Sequence, residues 1–442
     1  MNKVRIAFFV LGALLLSESL MSQDIMSLPE AVRIALESNY NIKIADNTRE
    51  ISENDVTRGN AGFLPTVGVT AFKNFASNDT YQERNDANRT IVDIQGAKSE
   101  QASIGASFNW VVFDGLGMFY AYDRLGQQNE ASNLLMKVTM ENTVAEVLST
   151  YYTVALEVER IKVLNNSLQL SERRLEIAQN KYEIGKASKV EFLAAQVDFN
   201  TDKTLLINEE QLLYQAKVDL NRVLAREIEA GVEVDQTIDI NENLVLGELL
   251  ESANMKNPSL LQSQRQLNIA HLQMRELKSD RFPIVSLTTA YSKGNSSSQV
   301  GFAALTRTNG FNYGVTASVN IFNGFNLNRR VQNAKVLMET AEYSIADLRL
   351  SLEADINKMY NRYITSLDLI NIERQNLEVA RENESIALER YQLGNYTPLE
   401  LREAQINAVQ AESRLINAAF STKLAEIELL RLSGSLITTF SE

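Results

Sequence analysis

Apolar residues recur along this chain with two different periods, and the switch between them marks out its elements. From Val67 they alternate with small or polar neighbours: Val67, Val69 and Ala71 against Gly68 and Thr70. The alternation resumes at Ile104, Ala106, Phe108, Trp110 and Val112, set against Ser103, Gly105, Ser107 and Asn109. Val285, Leu287 and Tyr291 then oppose Ser286, Thr288 and Ser292. A fourth run places Phe311, Tyr313, Val315, Ala317, Val319 and Ile321 opposite Asn312, Gly314, Thr316, Ser318 and Asn320. A period of two belongs to strands, so four strands are predicted. The polar stretches 74–103 and 293–310, rich in Asn, Ser, Asp and Gly, are predicted to be loops joining them in pairs.

Elsewhere the period is seven. Val147, Val154, Ile161, Leu168, Leu175 and Tyr182 form one series, and Leu156, Val163, Leu170 and Ile177 a second. Ile356, Tyr363, Ile370, Leu377, Glu384 and Tyr391 repeat the first, with Glu384 its one departure, while Ile372, Val379 and Ile386 repeat the second. Phe192, Phe199, Leu206, Leu213 and Leu220 carry the returning helix. Sustained heptads predict coiled-coil packing. Two series offset by two positions lie about 200° apart on a helix, so each long helix needs a neighbour on both sides. A helix from Leu116 to Glu183 would reach about 100 Å at 1.5 Å per residue.

The two halves are copies. From Asp114 and Asn323 onward they align without a gap at an offset of 209 residues; upstream, Pro65 matches Pro283 at an offset of 218. The tips match best: Tyr182/Tyr391, Gly185/Gly394, Glu191/Glu400, Ala195/Ala404 and Gln196/Gln405. Each tip glycine is expected to supply the positive φ of a helix-to-helix turn. Ser27, Pro29 and Glu30 predict a capped first helix running to about Asn60, and Asp114 and Asn323 are predicted helix caps rather than hairpin turns. The domain plan is therefore a signal peptide (1–22), a first repeat (23–226), an acidic linker (227–245), a second repeat (246–434) and a short tail (435–442).

Residues 1–22 read as a Sec-type signal peptide, with Lys3 and Arg5 ahead of an apolar run from Ile6 to Leu16 and expected cleavage after Ser22. No later stretch approaches 18 apolar residues, so any membrane span is expected to be built of strands. Strands of about ten residues, apolar on one face and small or polar on the other, are the pattern of a transmembrane β-barrel. Four strands cannot close one, so the chain is expected to share a barrel with copies of itself.

Composition removes other classes. The net charge of −13 argues against a nucleic-acid partner. With no cysteine there is no disulfide, thiolate zinc site, Cys nucleophile or lipid-modified N-terminus. The one histidine, His271, lies among Gln, Asn and Arg in a helical run and reads as an ordinary surface or packing residue. No phosphate-binding glycine loop or metal cluster is present in the sequence, so neither an enzyme nor a cofactor is expected. A periplasmic coiled-coil scaffold or adhesin without a pore is the rival reading; it explains the heptads but not the strands.

The duplicated unit, the Phe-Leu-Pro65 and Phe-Pro283 strand entries, the Phe-Asp-Gly and Phe-Asn-Gly exits and the Tyr-x-x-Gly tips together resemble the TolC-type outer-membrane efflux protein family over essentially the whole mature chain. The resemblance implies an α+β membrane protein: a homotrimer with a 12-stranded barrel in the outer-membrane lipid and a periplasmic α-helical barrel. It implies a passive exit duct for efflux or type I secretion, docked on a periplasmic adaptor protein and, through it, on an inner-membrane pump of the RND, ABC or MFS type. The cargo is then set by pump and adaptor. Glu400 and Glu403 fall where the family narrows its periplasmic entrance with acidic rings. Tyr391 and Glu191 match positions whose contacts hold the closed tip, and Gly185 and Gly394 lie in the turns that meet the adaptor. The arginine expected two residues after Gly394 is absent; Tyr396 stands there.

Overall fold

The computed structural model describes residues 25–440 except 86 and 88. The expected signal peptide lies outside the described residues, as do residues 441 and 442 of the tail. In chain order the elements are α1 (Leu28–Ser38), α2 (Tyr40–Asp55), β1 (Thr66–Glu83), β2 (Ile91–Phe113), α3 (Gly117–Glu183), α4 (Lys189–Val223), α5 (Leu246–Lys256), α6 (Pro258–Ser279), β3 (Ile284–Ser298), β4 (Leu305–Ser318), α7 (Asn326–Gln392), α8 (Pro398–Ser433) and α9 (Leu436–Phe440). They group into two compact units. One holds the described residues up to Asn47, Leu134–Leu261 and those from Asp347 on; the other holds Thr48–Asn133 and Gln262–Ala346.

The second unit carries a four-stranded antiparallel sheet in the order β1-β2-β3-β4. Its register aligns Val69, Ala106, Tyr291 and Phe311 in one row and Val67, Phe108, Thr289 and Tyr313 in another. The intervening row is Gly68, Ser107, Ala290 and Asn312. One face is therefore apolar and the other small or polar, and the apolar face is uncovered: Val69 and Val315 are each 71% exposed.

The strands run further than their alternation predicts. Most of the expected loops 74–103 and 293–310 is strand, and only 84–90 and 299–304 remain as connections. Alternation reports faces that differ in polarity, whereas strand pairing satisfies backbone N–H and C=O whatever the side chains are. At the other end β4 stops at Ser318, opposite Ile284 where β3 begins, so Val319 and Ile321 have no partner strand left.

Both strand exits are capped by Asp114 and Asn323. Met118 N–H donates to Asp114 Oδ2 at 2.7 Å and Leu327 N–H to Asn323 Oδ1 at 3.4 Å. Leu116 and Phe325, 209 residues apart, both take left-handed backbone with φ of 71° and 60°. The 67-residue helices α3 and α7 start directly afterwards.

The predicted single helix from Ser27 to Asn60 is a correction. It breaks at Asn39 and stops at Asp55. Asn39 leaves the helix and bridges it: Nδ2 donates to Val223 O at 2.7 Å, and Oδ1 accepts from Asn41 N at 2.8 Å. Asn257 does the same in the second copy, donating to Leu432 O at 2.9 Å and accepting from Leu260 N at 3.0 Å. Pro258 enforces the second break because the residue before proline is driven out of the helical region. At the first break the local contribution is the Asn39 cap on Asn41 N–H, with no proline behind it.

The core of the helical unit packs α1 against Val147, Leu148, Tyr151 and Val154 of α3 and Leu220 of α4. Irregular backbone between α4 and α5 is tied to it by the Tyr151 hydroxyl, which donates to Met26 O at 2.8 Å and accepts from Asp235 N at 3.0 Å. The first heptad series is buried in the second copy at Ile356, Tyr363, Ile370 and Leu377. The second differs between copies: Leu156 and Val163 are buried, but Ile372, Val379 and Ile386 are exposed, Val379 by 65%. Val197, Ile207 and Tyr214 of α4 are uncovered too. Among the described residues no helix is long and apolar enough to cross a membrane.

Candidate functional site at the hairpin tips

Each long helix ends in the same turn. Gly185 (φ 76°) donates from its N–H to Tyr182 O at 3.0 Å, and Lys186 N–H reaches Lys181 O at 2.8 Å. Gly394 (φ 80°) and Asn395 repeat these bonds to Tyr391 O and Arg390 O at 3.1 and 2.9 Å. A Cβ on either glycine would meet no heavy atom within 4 Å, so it is the backbone angle alone that favours glycine. The chain then re-enters a helix through Ser188, which accepts from Glu191 N at 3.2 Å, or Thr397, which accepts from Glu400 N at 3.3 Å.

Glu400 completes a capping box. Its carboxylate accepts from Thr397 N at 2.8 Å and from the Thr397 hydroxyl at 2.6 Å. The hydroxyl first, and then the backbone N–H, hold the Glu400 carboxyl below its ordinary range. Glu403, one turn further along α8, is exposed and makes no hydrogen bond or ion pair among the described residues.

Tyr391 is 2% exposed, packed against Ala387, Leu401 and Ala404. The Lys181 ammonium of α3 lies 4.1 Å from its ring centroid and donates to its carbonyl at 3.4 Å, so the two hairpins meet at this point. Burial raises the pKa of the Tyr391 phenol, and the Glu191 carboxylate beside it raises it further. The structure thus brings Tyr391 and Glu191 together and keeps Glu400 and Glu403 on the start of α8. The matching Tyr182 is instead stacked on Phe192, with ring centroids 6.0 Å apart. Tyr396, which stands at the missing arginine's place, lies under the Arg390 guanidinium at 5.9 Å.

Deeper in the same hairpins is a buried ionic bracket that the apolar periodicity does not announce. Arg402 of α8 grips Asp202 of α4 with both terminal nitrogens at 2.7 Å. Arg174 of α3, 3% exposed along its side chain, pairs with Asp198 and donates to Gln405 Oε1 at 2.8 Å. Gln405, fully buried, donates to Ser167 O at 2.9 Å and to the hydroxyls of Ser167 and Ser171 at 3.0 Å. Three helices are locked together by charges and amides whose bonds are met inside the bundle. A signal does exist in the sequence: Arg160, Ser167, Arg174 and Lys181 recur every seven residues, one position ahead of the apolar series. That is a polar stripe on an inward face.

A profile of the outer membrane efflux protein family matches residues 31–226 and 249–435, nearly the whole of both repeats. The chain belongs to the outer membrane efflux protein family. Among relatives of this efflux protein is the outer membrane protein TolC of Vibrio cholerae, 20% identical over 421 residues, covering 93% of this chain and 91% of that one. The protein CyaE of Bordetella pertussis is 21% identical and covers 93% and 85%. Of solved structures, the Campylobacter jejuni CmeC outer membrane channel superposes with a TM-score of 0.77 at 15% identity, covering 94% of this chain and 89% of that one. Membership places this efflux protein in the outer membrane, with a large helical periplasmic part.

Proposed function

We propose that three copies of this chain form a passive exit duct through the outer membrane for an efflux or secretion system. The observation that carries the reading is the uncovered apolar face of the four-stranded sheet. A sheet face whose apolar residues stand uncovered together is unfavourable in water and natural in lipid. Four strands need partners to close, and the bare heptad faces of α4 and α7 give further copies a surface to pack on. The strand faces opposite, lined by Gly68, Thr70, Gly105, Ser107, Thr288 and Asn312, become the lumen wall.

The hairpin tips then form the periplasmic mouth. Glu403, exposed and unpaired, and Glu400, held charged by its cap, line it as carboxylate rings that attract cations by field focusing. Tyr391, Glu191 and Lys181 hold the two tips together at a narrowed mouth, where the family's arginine is missing. Gly185 and Gly394 form the turns that meet a periplasmic adaptor joined to an inner-membrane pump.

The test is the ion selectivity of single channels in planar bilayers. The variant is Glu400→Gln/Glu403→Gln, because glutamine preserves the capping box while removing the charge. Wild type is expected to prefer cations and to be blocked by multivalent cations; the double variant is expected to lose most of both. An unchanged reversal potential would take these residues out of the mouth, and absence of any conductance in the wild type would overturn the duct.

A further inference from the structure

The sheet distributes its charge with a sidedness that lumen and apolar band leave unexplained. In the paired rows from Thr66 to Ala76 the polar face carries no charged residue on any strand: Phe72, Ser103, Gly294 and Thr308 make one row, Asn74, Gln101, Ser296 and Thr306 the next. All charge in those rows lies on the apolar face and only at the end near the strand connections. Lys293 shares a row with Ala71 and Ile104; Lys73 and Arg307 share the next; Glu100 follows beside Phe75; Lys98 stands opposite Ser77. Three cations of those rows, and Lys98 one row beyond, thus face one carboxylate, Glu100, and Lys73 alone is paired with it, at 2.6 Å. Lys293 and Arg307 are diagonal neighbours on adjacent strands, their Cβ atoms about 7 Å apart, and neither forms an ion pair among the described residues. Cations gathered on one face with so little counter-charge make it favourable ground for an anion.

One row further toward the connections is a cleft of about 970 Å³, lined by Phe75, Lys98, Glu100, Ser297, Gln299 and Phe302; of the four cations only Lys98 lines it. Phe302 is 96% exposed, and its loop is held in place by Arg84, whose guanidinium lies 5.0 Å from the ring and donates to Gly301 O at 3.3 Å. Cations beside a wet cleft with two exposed phenyl rings suit an amphiphile whose headgroup bears phosphate.

We infer that this outward corner of the sheet is a binding site for the phosphate groups of lipid headgroups in the outer leaflet, with Lys73, Lys293 and Arg307 as the phosphate donors and Phe75 and Phe302 against the lipid's apolar part. The inference rests on the barrel reading, in which the apolar face meets lipid and the strand connections lie outside. A lumen wall tolerates charge at no cost, yet the strands put their cations on the lipid side instead.

Native mass spectrometry of the detergent-purified protein tests it, with bisphosphorylated lipid A, its dephosphorylated form and phosphatidylethanolamine as probes. Wild type is expected to retain the phosphorylated glycolipid preferentially, and Lys73→Gln/Lys293→Gln/Arg307→Gln to lose roughly a hundredfold in affinity for it alone. Equal retention of the phosphorylated and dephosphorylated forms by wild type would overturn the site, as would an unaltered triple variant. Displacement by excess inorganic phosphate would mark a free-anion site and overturn the lipid assignment. Conductance in neutral-lipid bilayers is measured on the same samples: its loss in wild type would overturn the barrel rather than the site. If the triple variant lacks conductance, Arg307→Gln alone replaces it, with roughly a fivefold loss expected.

Discussion

Asp202 shows what a single side chain does in the helical unit. Its carboxylate takes both nitrogens of Arg402 while a helix of the other copy supplies the arginine, so one residue ties α4 to α8. Removing one partner of a buried pair strands the other without compensation. Asp202→Ala is expected to destabilise the helical unit by about 3–5 kcal/mol, read as a lower urea midpoint of the helical circular-dichroism signal. Arg402→Met/Asp202→Leu is expected to recover most of that loss, because an apolar pair of similar volume leaves no charge unpaired. At this scale the sequence was only partly legible. Tyr391, Glu191 and the tip glycines stand out as repeated letters. Arg174 and Asp202 do not, since a charged residue in a helix reads as solvated unless its own heptad spacing is followed.

Among the elements, the turns discriminate best. Gly115 and Gly394 both have positive φ, 75° and 80°. A Cβ on Gly115 would lie 2.5 Å from Ser279 O and 2.7 Å from Phe282 Cβ, whereas at Gly394 it meets nothing. Gly394→Ala is therefore expected to cost only about 1–2 kcal/mol of backbone strain. Gly115→Ala is expected to cost clearly more, since the backbone of α6's last turn cannot give way. Thermal melting of both variants checks the order: a Gly394→Ala loss equal to that of Gly115→Ala would contradict it. Long helices, strand faces and caps were legible because period seven, period two and Asp or Asn before a helix each have a local cause. Strand length was not, because Thr-, Ser- and Asn-rich segments such as 74–83 have no polarity contrast to betray their pairing. The break at Asn39 was equally hidden, since its reason is a distant carbonyl, Val223 O.

For the whole molecule the uncovered faces decide. In the assembly proposed above, Ile372, Val379 and Ile386 pass from solvent into a helix–helix interface. Val379→Glu leaves the protomer's own core untouched yet buries a carboxylate on assembly, at a cost of several kcal/mol. The heat-modifiable assembled band on gels is expected to fall by more than about tenfold while helix content is unchanged. A variant that assembles like wild type would place this face outside the interface.

The two asparagine bridges and the ionic bracket differ in one respect that bears on how the chain arose. Asn39 binds Val223 and Asn257 binds Leu432, so each bond closes within its own repeat. The bracket joins Arg174 and Asp202 of one repeat to Gln405 and Arg402 of the other, and the corresponding positions read Asn383, Ala411, Gln196 and Leu193. A half-length ancestor could already have held the first kind of bond. The second, as it stands, draws on Arg174, Asp202 and Arg402, none of which the other copy carries at the matching position, so the two hairpins are no longer interchangeable and have specialised.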